Sequence, residues 1–581
     1  MSQNKTSFPK KTRQILSVAI SASVLSMHSL AGMGQTQPEV VDLMILYTEG
    51  AKSTADSYAN NAGINKRITD LVEQLNELYR INNANIQLNL VHSELTADAD
   101  TKRLDKITVG SHSVSIVSSN RGIRDLRAQY GADLVLTLVS VPEAVYDGTC
   151  GIATTSGAKV QEGQFSLSDR DNAYSVASID KNTCDTYSHK KDKTLFDEVV
   201  LVVAHEFGHS MGLNHDVRTE KNNFNVSIND NAMKSFLKEA LLEVKSDEYL
   251  KKNGKLPKKG SIVINDPTFD DYKLIAGGLY EYSFGYGEDD LFTTIMGYTD
   301  SYDTENKNWL PYFSTQNPVT YTFPFFRLDR TELDKPGADW SKISWLREDC
   351  SSSTCDYNLI PGKYPTTKVI KQLTSIGNAD KNTLKAVNQA SKQISEFCVS
   401  KDQTSQYPYT EPKAVKVKGM TLREFSLIHA YTINFNKTPF WSKEYPKSTE
   451  GFYGWQSEIL DIIDIDAKKR YMTVSTVDNT MPVVGLDLTC ALQQNETYRF
   501  AAEVQGGSEG VAAIWLYYET AQDTQDWILI DYKPVNQVDW TALTGDIRMP
   551  SQLTNARLVI TGVSDGVGFS LNELKVLTKR N

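Results

Sequence analysis

Residues 41–47 form an almost unbroken apolar run, Val41-Asp42-Leu43-Met44-Ile45-Leu46-Tyr47, which predicts a buried strand. Ile64, Ile68, Leu71, Val72, Leu75, Leu78 and Tyr79 then recur at helical spacing, so an amphipathic helix is predicted at about 62–82. Ile86, Leu88 and Leu90 alternate as a strand should. Residues 114–129 suit a second helix, and residues 131–139 contain a further buried strand, DLVLTLV. Strand, helix, strand, helix, strand in that order implies a largely parallel sheet with right-handed crossovers. A helix at about 194–211 follows. Its run Val199 to Val203 makes it apolar nearly all round, so it should be buried. Met233, Phe236, Leu237, Ala240, Leu241 and Val244 predict another amphipathic helix, ahead of a basic, turn-rich loop at 251–260. Leu384, Val387, Ala390, Ile394 and Phe397 predict one more, within 380–398.

The text changes near residue 401. Proline-containing stretches between there and 449 read as a linker. Beyond 450, short alternating segments separated by turn signals predict an all-β sandwich. They are Tyr471 to Val474, Tyr498 to Val504, Ile514 to Tyr518, Trp527 to Ile530, Leu558 to Ile560 and Phe569 to Val576.

A chain of 581 residues has room for two to four domains. The net charge of −11 argues against a nucleic-acid or anionic-membrane partner. Residues 1–31 read as a signal peptide. Lys5, Lys10, Lys11 and Arg13 precede a moderately apolar stretch that ends in Ser29-Leu30-Ala31. No later stretch is long and apolar enough for a membrane span, so a secreted protein is expected. All six cysteines lie beyond residue 31, at 150, 184, 350, 355, 398 and 490. An even count in an oxidising compartment suggests disulfides. Cys150–Cys184 is the favoured pair, since both fall just before the buried helix. Cys350–Cys355 would close a small loop, and Cys398 and Cys490 either pair across domains or stay reduced.

The chemistry concentrates in His205-Glu206-Phe207-Gly208-His209-Ser210-Met211-Gly212-Leu213-Asn214-His215-Asp216. Histidines four apart on a helix present imidazoles to one ion. Gly212 tolerates positive φ and can turn the chain back, bringing His215 in as a third ligand. Three protein ligands leave one zinc position open, the catalytic arrangement. Glu206 points to a neighbouring direction, suited to a water rather than the ion, and would act as general base. With only eight histidines in the chain, chance would produce the full pattern about 5 times in a million such sequences.

This stretch resembles the metzincin zinc-protease motif. Thr294-Ile295-Met296-Gly297-Tyr298 resembles the family's Met-turn. Residues 41–48 are similar to the first strand of bacterial reprolysin-like enzymes, including peptidyl-Asp metallopeptidases. The resemblance implies a zincin catalytic domain at about 38–400, with a mixed, mostly parallel twisted sheet and a zinc helix. It implies insertions at about 217–290 and 325–375, the first being either a lid beside the cleft or a solvated embellishment. By the same resemblance Met296 supports the site from beneath, and Tyr298 sits where some branches place a tyrosine near the transition state. Gly151, Ile152 and Ala153 fall in the edge strand that pairs with substrate. Glu496-Thr497-Tyr498-Arg499-Phe500, Trp527 and residues 568–574 are similar to jelly-roll carbohydrate-binding modules. Tyr517, Tyr518, Trp527 and Trp540 are then candidates for stacking on sugars or for the aromatic core.

The expectation is a secreted zinc endopeptidase acting on proteins or glycoproteins, with one catalytic Zn(2+) and a glycan ligand for the C-terminal domain. The alternative is a glycan-binding, adhesin-like protein with a vestigial protease domain. Nothing in the sequence indicates calcium, and the oligomeric state is open.

Overall fold

A computed structural model describes residues 37–58, 63–96, 101–141, 149–154, 163–179, 198–289, 292–302, 309–323, 326–327, 344–349, 356–361, 369–373, 375–398, 415–434, 455–456, 463–466, 471–475, 482–506, 510–520, 525–551, 553–562 and 568–580. The N-terminal half is built on a five-stranded sheet. Its strands are β1 (Glu39–Tyr47), β2 (Ile86–Leu95), β3 (Leu134–Val139), β4 (Gly151–Ala153) and β5 (Tyr174–Ser178). Their order is β2-β1-β3-β5-β4. The first four run parallel, and β4 pairs antiparallel with β5 as an edge.

Burial on both faces explains why β1 and β3 read as apolar runs, whereas the edge strand β2, buried on one face at its start, alternates. In β1, Leu43 and Ile45 pack into one layer, and Met44 and Leu46 into the other. Helix α1 (Glu49–Tyr58), which the periodicity did not reveal, and α2 (Gly63–Asn82) lie in the first layer. The single helix expected over 114–129 is two, α3 (Ser111–Ser119) and α4 (Arg121–Tyr130). Asn120 breaks it. Its backbone is extended, and its side chain accepts from the Ile123 amide, so it caps α4 instead of continuing α3. Between β4 and β5 lies the short helix α5 (Leu167–Asp171).

Arg127 of α4 is fully buried and binds four backbone carbonyls. It donates to Ala132, Asp133, Arg170 and Asp171, locking α4 and α5 to the start of β3. Beside it, Arg124 makes a two-oxygen pair with Asp171 at 2.7 Å.

Helix α6 (Glu198–Ser210) is buried along Val199–Ser210, as its apolar circumference requires. The segment after it folds as three helices, α7 (Val217–Asn229), α8 (Asn231–Asn253) and α9 (Phe269–Ala276). Leu237 and Leu241 of α8 pack on Ile275 of α9. Helix α10 (Thr383–Ile394) closes the domain, with Leu384, Val387, Ala390 and Ile394 in the same core as α2 and α6. Within 325–375, residues Ser344–Asp349 and Asp356–Pro361 form an antiparallel hairpin. Cys350 and Cys355 lie outside the described residues.

The C-terminal half is two antiparallel sheets packed face to face around a separate core. Part of the stretch expected as a linker belongs to it. Phe425–Asn434 pairs with Phe569–Lys579, and Val415–Lys416 pairs with Thr541–Arg548. The prolines lie outside these strands, and Phe425, Ile428, Ala430 and Tyr431 are buried, which overrides the linker composition. Cys490 is bonded to Cys398, just past α10. Cys150 is also disulfide-bonded, but Cys184 lies outside the described residues.

The sandwich is docked against the N-terminal half. Leu167 of α5 lies in the sandwich core. Asp247 of α8, buried, accepts from Arg580 at 2.6 Å and from the Leu427 amide at 2.8 Å. Helix α8 therefore connects the first insertion to the sandwich.

Candidate metal centre and active site

Helix α6 carries His205, Glu206 and His209, and Gly212 ends it. Gly212 sits at φ +81°, where a side chain would be strained and a Cβ would strike Leu279. The Gly212 carbonyl accepts the Leu279 amide, and Asn214 exchanges backbone bonds with Ser283 and Gly285. This return carries His215 over the helix. One ligand atom from each of His205, His209 and His215 lies within 4.8 Å of the others. The Nε2 atoms of His209 and His215 are 3.0 Å apart.

The other ring nitrogen of each histidine is already engaged. His205 Nδ1 bonds the Ile295 carbonyl at 2.7 Å, and His209 Nδ1 bonds the Leu213 carbonyl at 3.1 Å. His215 Nδ1 meets Glu220 Oε1 at 2.7 Å. Acceptors on all three Nδ1 atoms favour the tautomer that leaves Nε2 free, which is the state a metal needs. Burial, then the nearby His215, hold the His205 imidazole down at about 3, partly opposed by the Ile295 bond. His209 is held well below its ordinary value by the same burial and by its two histidine neighbours. Converging, pre-oriented imidazoles in a buried site fit a divalent cation of the zinc type.

Glu206 is 5% exposed, and burial pushes its carboxyl up to about 8. It lies against the edge strand. A Cβ on Gly151 would fall 2.5 Å from Glu206 Oε1 and 2.8 Å from Val202 Cγ1. Only glycine lets the strand come this close. Ile152 pairs with Val176 and Ala153 with Ser175, so all three edge-strand candidates sit in β4.

Met296 is fully buried beneath the helix, and its sulfur occupies the space a Cβ on Gly208 would need. Tyr298 is 38% exposed, and its ring centroid is 4.6 Å from that of His215 and 5.6 Å from that of His205. Asp216 joins the pieces. It is fully buried and caps α7 through the amides of Arg218 and Thr219. It also accepts from the Tyr302 hydroxyl at 3.1 Å and the Tyr298 amide at 3.3 Å. The third histidine and the Met-turn are thereby held together.

Sequence reasoning missed Glu220 and Trp309. The Trp309 indole donates to the Ile295 carbonyl that also receives His205, at 3.2 Å. Nothing in the local sequence marks Trp309. Glu220 did carry a signal: with Asp216 as N-cap, His215 and Glu220 occupy the two positions a hydrophobic staple joins.

Residues 65–216 match the family described as "Metallo-peptidase family M12B Reprolysin-like". The chain contains a reprolysin-like metallopeptidase domain. Residues 429–566 match the family described as "Carbohydrate binding domain". A curated relative, the peptidyl-Asp metalloendopeptidase of Pseudomonas aeruginosa, is 27% identical over 293 residues. That alignment covers 50% of this chain and 37% of the relative, so the chain spans well under half of that protein's length. Among solved structures, a chain of a chaperone–substrate complex is similar at a TM-score of 0.29 and 12% identity, over 63% of this chain and 36% of that one. The CBM22-1 xylan-binding domain of Paenibacillus barcinonensis Xyn10C is similar at 0.22 and 14%, over 26% and 95%.

The metallopeptidase domain and the carbohydrate-binding domain present different surfaces. On the sandwich, Tyr518 is core, 3% exposed, whereas Trp527 is 52% exposed with the Tyr517 ring 4.9 Å away. Trp540 is also exposed, with its ring 5.7 Å from that of Tyr471. Among the described residues no helix is long and apolar enough to cross a membrane.

Proposed function

We propose that the protein is an exported, zinc-dependent endopeptidase with a glycan-binding sandwich. His205, His209 and His215 would hold the ion, and Glu206 would move the protons. One observation carries this reading: three imidazoles converge with their Nδ1 atoms occupied, next to a buried carboxylate at the sheet edge.

Zinc bound there would supply Lewis acidity, which acidifies water and polarises a carbonyl. The protein's own groups do the rest. Strand β4 is the outermost strand of the five-stranded sheet among the described residues, and an extended peptide would add to its outer edge through main-chain hydrogen bonds. Glu206 would take a proton from water and return it to the leaving amine. Burial alone favours its protonated form, and a cation held by the histidines would oppose that and favour the carboxylate. Tyr298, facing the histidine rings, would stabilise charge developing on the carbonyl oxygen.

Trp527 with Tyr517 offers an exposed aromatic platform for a sugar ring, which supports glycosylated substrates. The intact Glu206 supports hydrolysis over the adhesin alternative, since a pure binder has no use for that carboxylate. The Cys398–Cys490 bond supports an oxidising destination, and with it the reading of residues 1–31 as a signal.

The test is cleavage of casein by the full chain, with and without a chelator, and by Glu206→Gln. Zinc should stay stoichiometric in the variant while turnover falls by about 10²–10⁴-fold. Zinc-loaded wild type inert on casein and on a broad peptide library would reject the endopeptidase. The same variant on a glycan array should show retention that Trp527→Ala reduces.

A further inference from the structure

The helical segment after the third histidine reaches into the metal centre. Helix α7 starts at the Asp216 cap, and one turn in, Glu220 places Oε1 2.7 Å from His215 Nδ1. The Glu220 side chain is 3% exposed, as inaccessible as a core residue. Its second oxygen is not left to water. Tyr272 of α9 donates to Oε2 at 3.0 Å, and Asn223 Nδ2 lies 3.3 Å from Oε1. Tyr272 is itself wedged among rings, 5.6 Å from Phe224 and 6.1 Å from Phe269. Helix α9 is fixed by Ile275, which packs on α8. Helices α7 and α9 therefore converge on one carboxylate, α8 braces α9 from behind, and that carboxylate faces one imidazole.

The three histidines are not held alike. His205 and His209 rest on neutral backbone carbonyls supplied by the Met-turn and by the end of α6. Only His215 rests on a carboxylate, and only His215 sits on a loop rather than on the helix. A carboxylate at Nδ1 fixes the ring's orientation and raises its basicity toward a cation at Nε2. We infer that Glu220 and Tyr272 form a positioning relay that secures the third metal ligand, and that the 217–276 helices serve the metal centre rather than embellish the surface. This rests on the reading that the three histidines hold zinc.

The experiment measures zinc affinity of the full chain by competition with a chromogenic chelator, together with the visible spectrum of the cobalt-substituted protein. Glu220→Gln keeps the shape and an acceptor but removes the charge. Tyr272→Phe removes only the hydroxyl. Val226→Ser, on the exposed side of α7 at 73%, is the control. The expected result is zinc held about 10–100-fold more weakly by Glu220→Gln, a smaller loss for Tyr272→Phe, and none for Val226→Ser. The cobalt spectrum should shift in Glu220→Gln, while metal-free wild type and variant melt together. A zinc Kd for Glu220→Gln within threefold of wild type would overturn the inference, as would an equal loss in Val226→Ser. Wild type that binds no zinc would overturn the ligand assignment itself. Wild type that binds zinc but cleaves nothing would overturn only the endopeptidase reading.

Discussion

Gly151→Ala isolates the contact between the edge strand and Glu206, the proposed proton carrier. The residue lies in β4 with its α-carbon facing α6, and the space for a Cβ is filled. The new carbon would fall 2.5 Å from Glu206 Oε1, 2.7 Å from Glu206 Cγ and 2.8 Å from Val202 Cγ1. A relaxed separation from such atoms is about 3.5 Å or more, so something must move by about 1 Å. Val202 is β-branched and packed within a buried helix, so it cannot swing away. The displacement falls on Glu206 or on β4 itself, and either one disturbs the alignment of carboxylate and substrate. A misplacement of about 1 Å costs on the order of 100-fold in rate, or about 2.7 kcal/mol of transition-state stabilisation. The three atoms nearest the methyl group belong to Glu206 and Val202 and not to a histidine, so zinc content should not change. The assay is kcat and KM on a quenched-fluorescence peptide drawn from casein cleavage sites, with zinc measured on the same preparation. A fall of 30- to 300-fold in kcat/KM with full zinc is expected. Activity within twofold of wild type would show that Glu206 does not work from this position. Loss of zinc in step with activity would show that the strand supports the ligands instead.

Gly208→Ala would drive a Cβ into the Met296 sulfur, and an overpacked core of this kind costs about 1–3 kcal/mol, read as a lower urea midpoint with histidine ligation retained. Arg127→Met leaves four buried carbonyls without donors at about 1–3 kcal/mol each, a sum comparable to a domain's whole stability, so the variant should not accumulate folded; a melting temperature near wild type would refute the locking role. Cys398→Ser opens a cross-link between residues 92 apart and should cost about 2–5 kcal/mol, read as a lower urea midpoint; added reductant, which also breaks the Cys150 bond, should lower wild type at least as far.

Much of the molecule was legible in advance where a single local signal carried the information. The apolar runs of β1 and β3 and the helical spacing of α2 and α10 reflect burial on one or both faces, which composition records directly. The zinc-type motif was legible because two histidines one turn apart and a glycine that turns the chain are a short-range pattern. Asn120 was misread because hydrophobic spacing continued through it while its side chain capped the next helix. The strand Phe425–Asn434 was misread because prolines on either side outweighed its own apolar positions.

Sequence alone marked which residues are candidates to bind a cation and carry a proton, since that depends on side-chain type and on short-range spacing through one helix and the turn after it. Tertiary structure decided what surrounds them. The carbonyls and carboxylate behind the three imidazoles come from residues 90, 4 and 5 positions away. The closeness of Gly151 to Glu206 and the anchoring of Asp247 by Arg580, 333 residues apart, arise only when separate elements pack. Such contacts leave no periodic trace in the chain, because each is a meeting of two surfaces rather than a repeat along one.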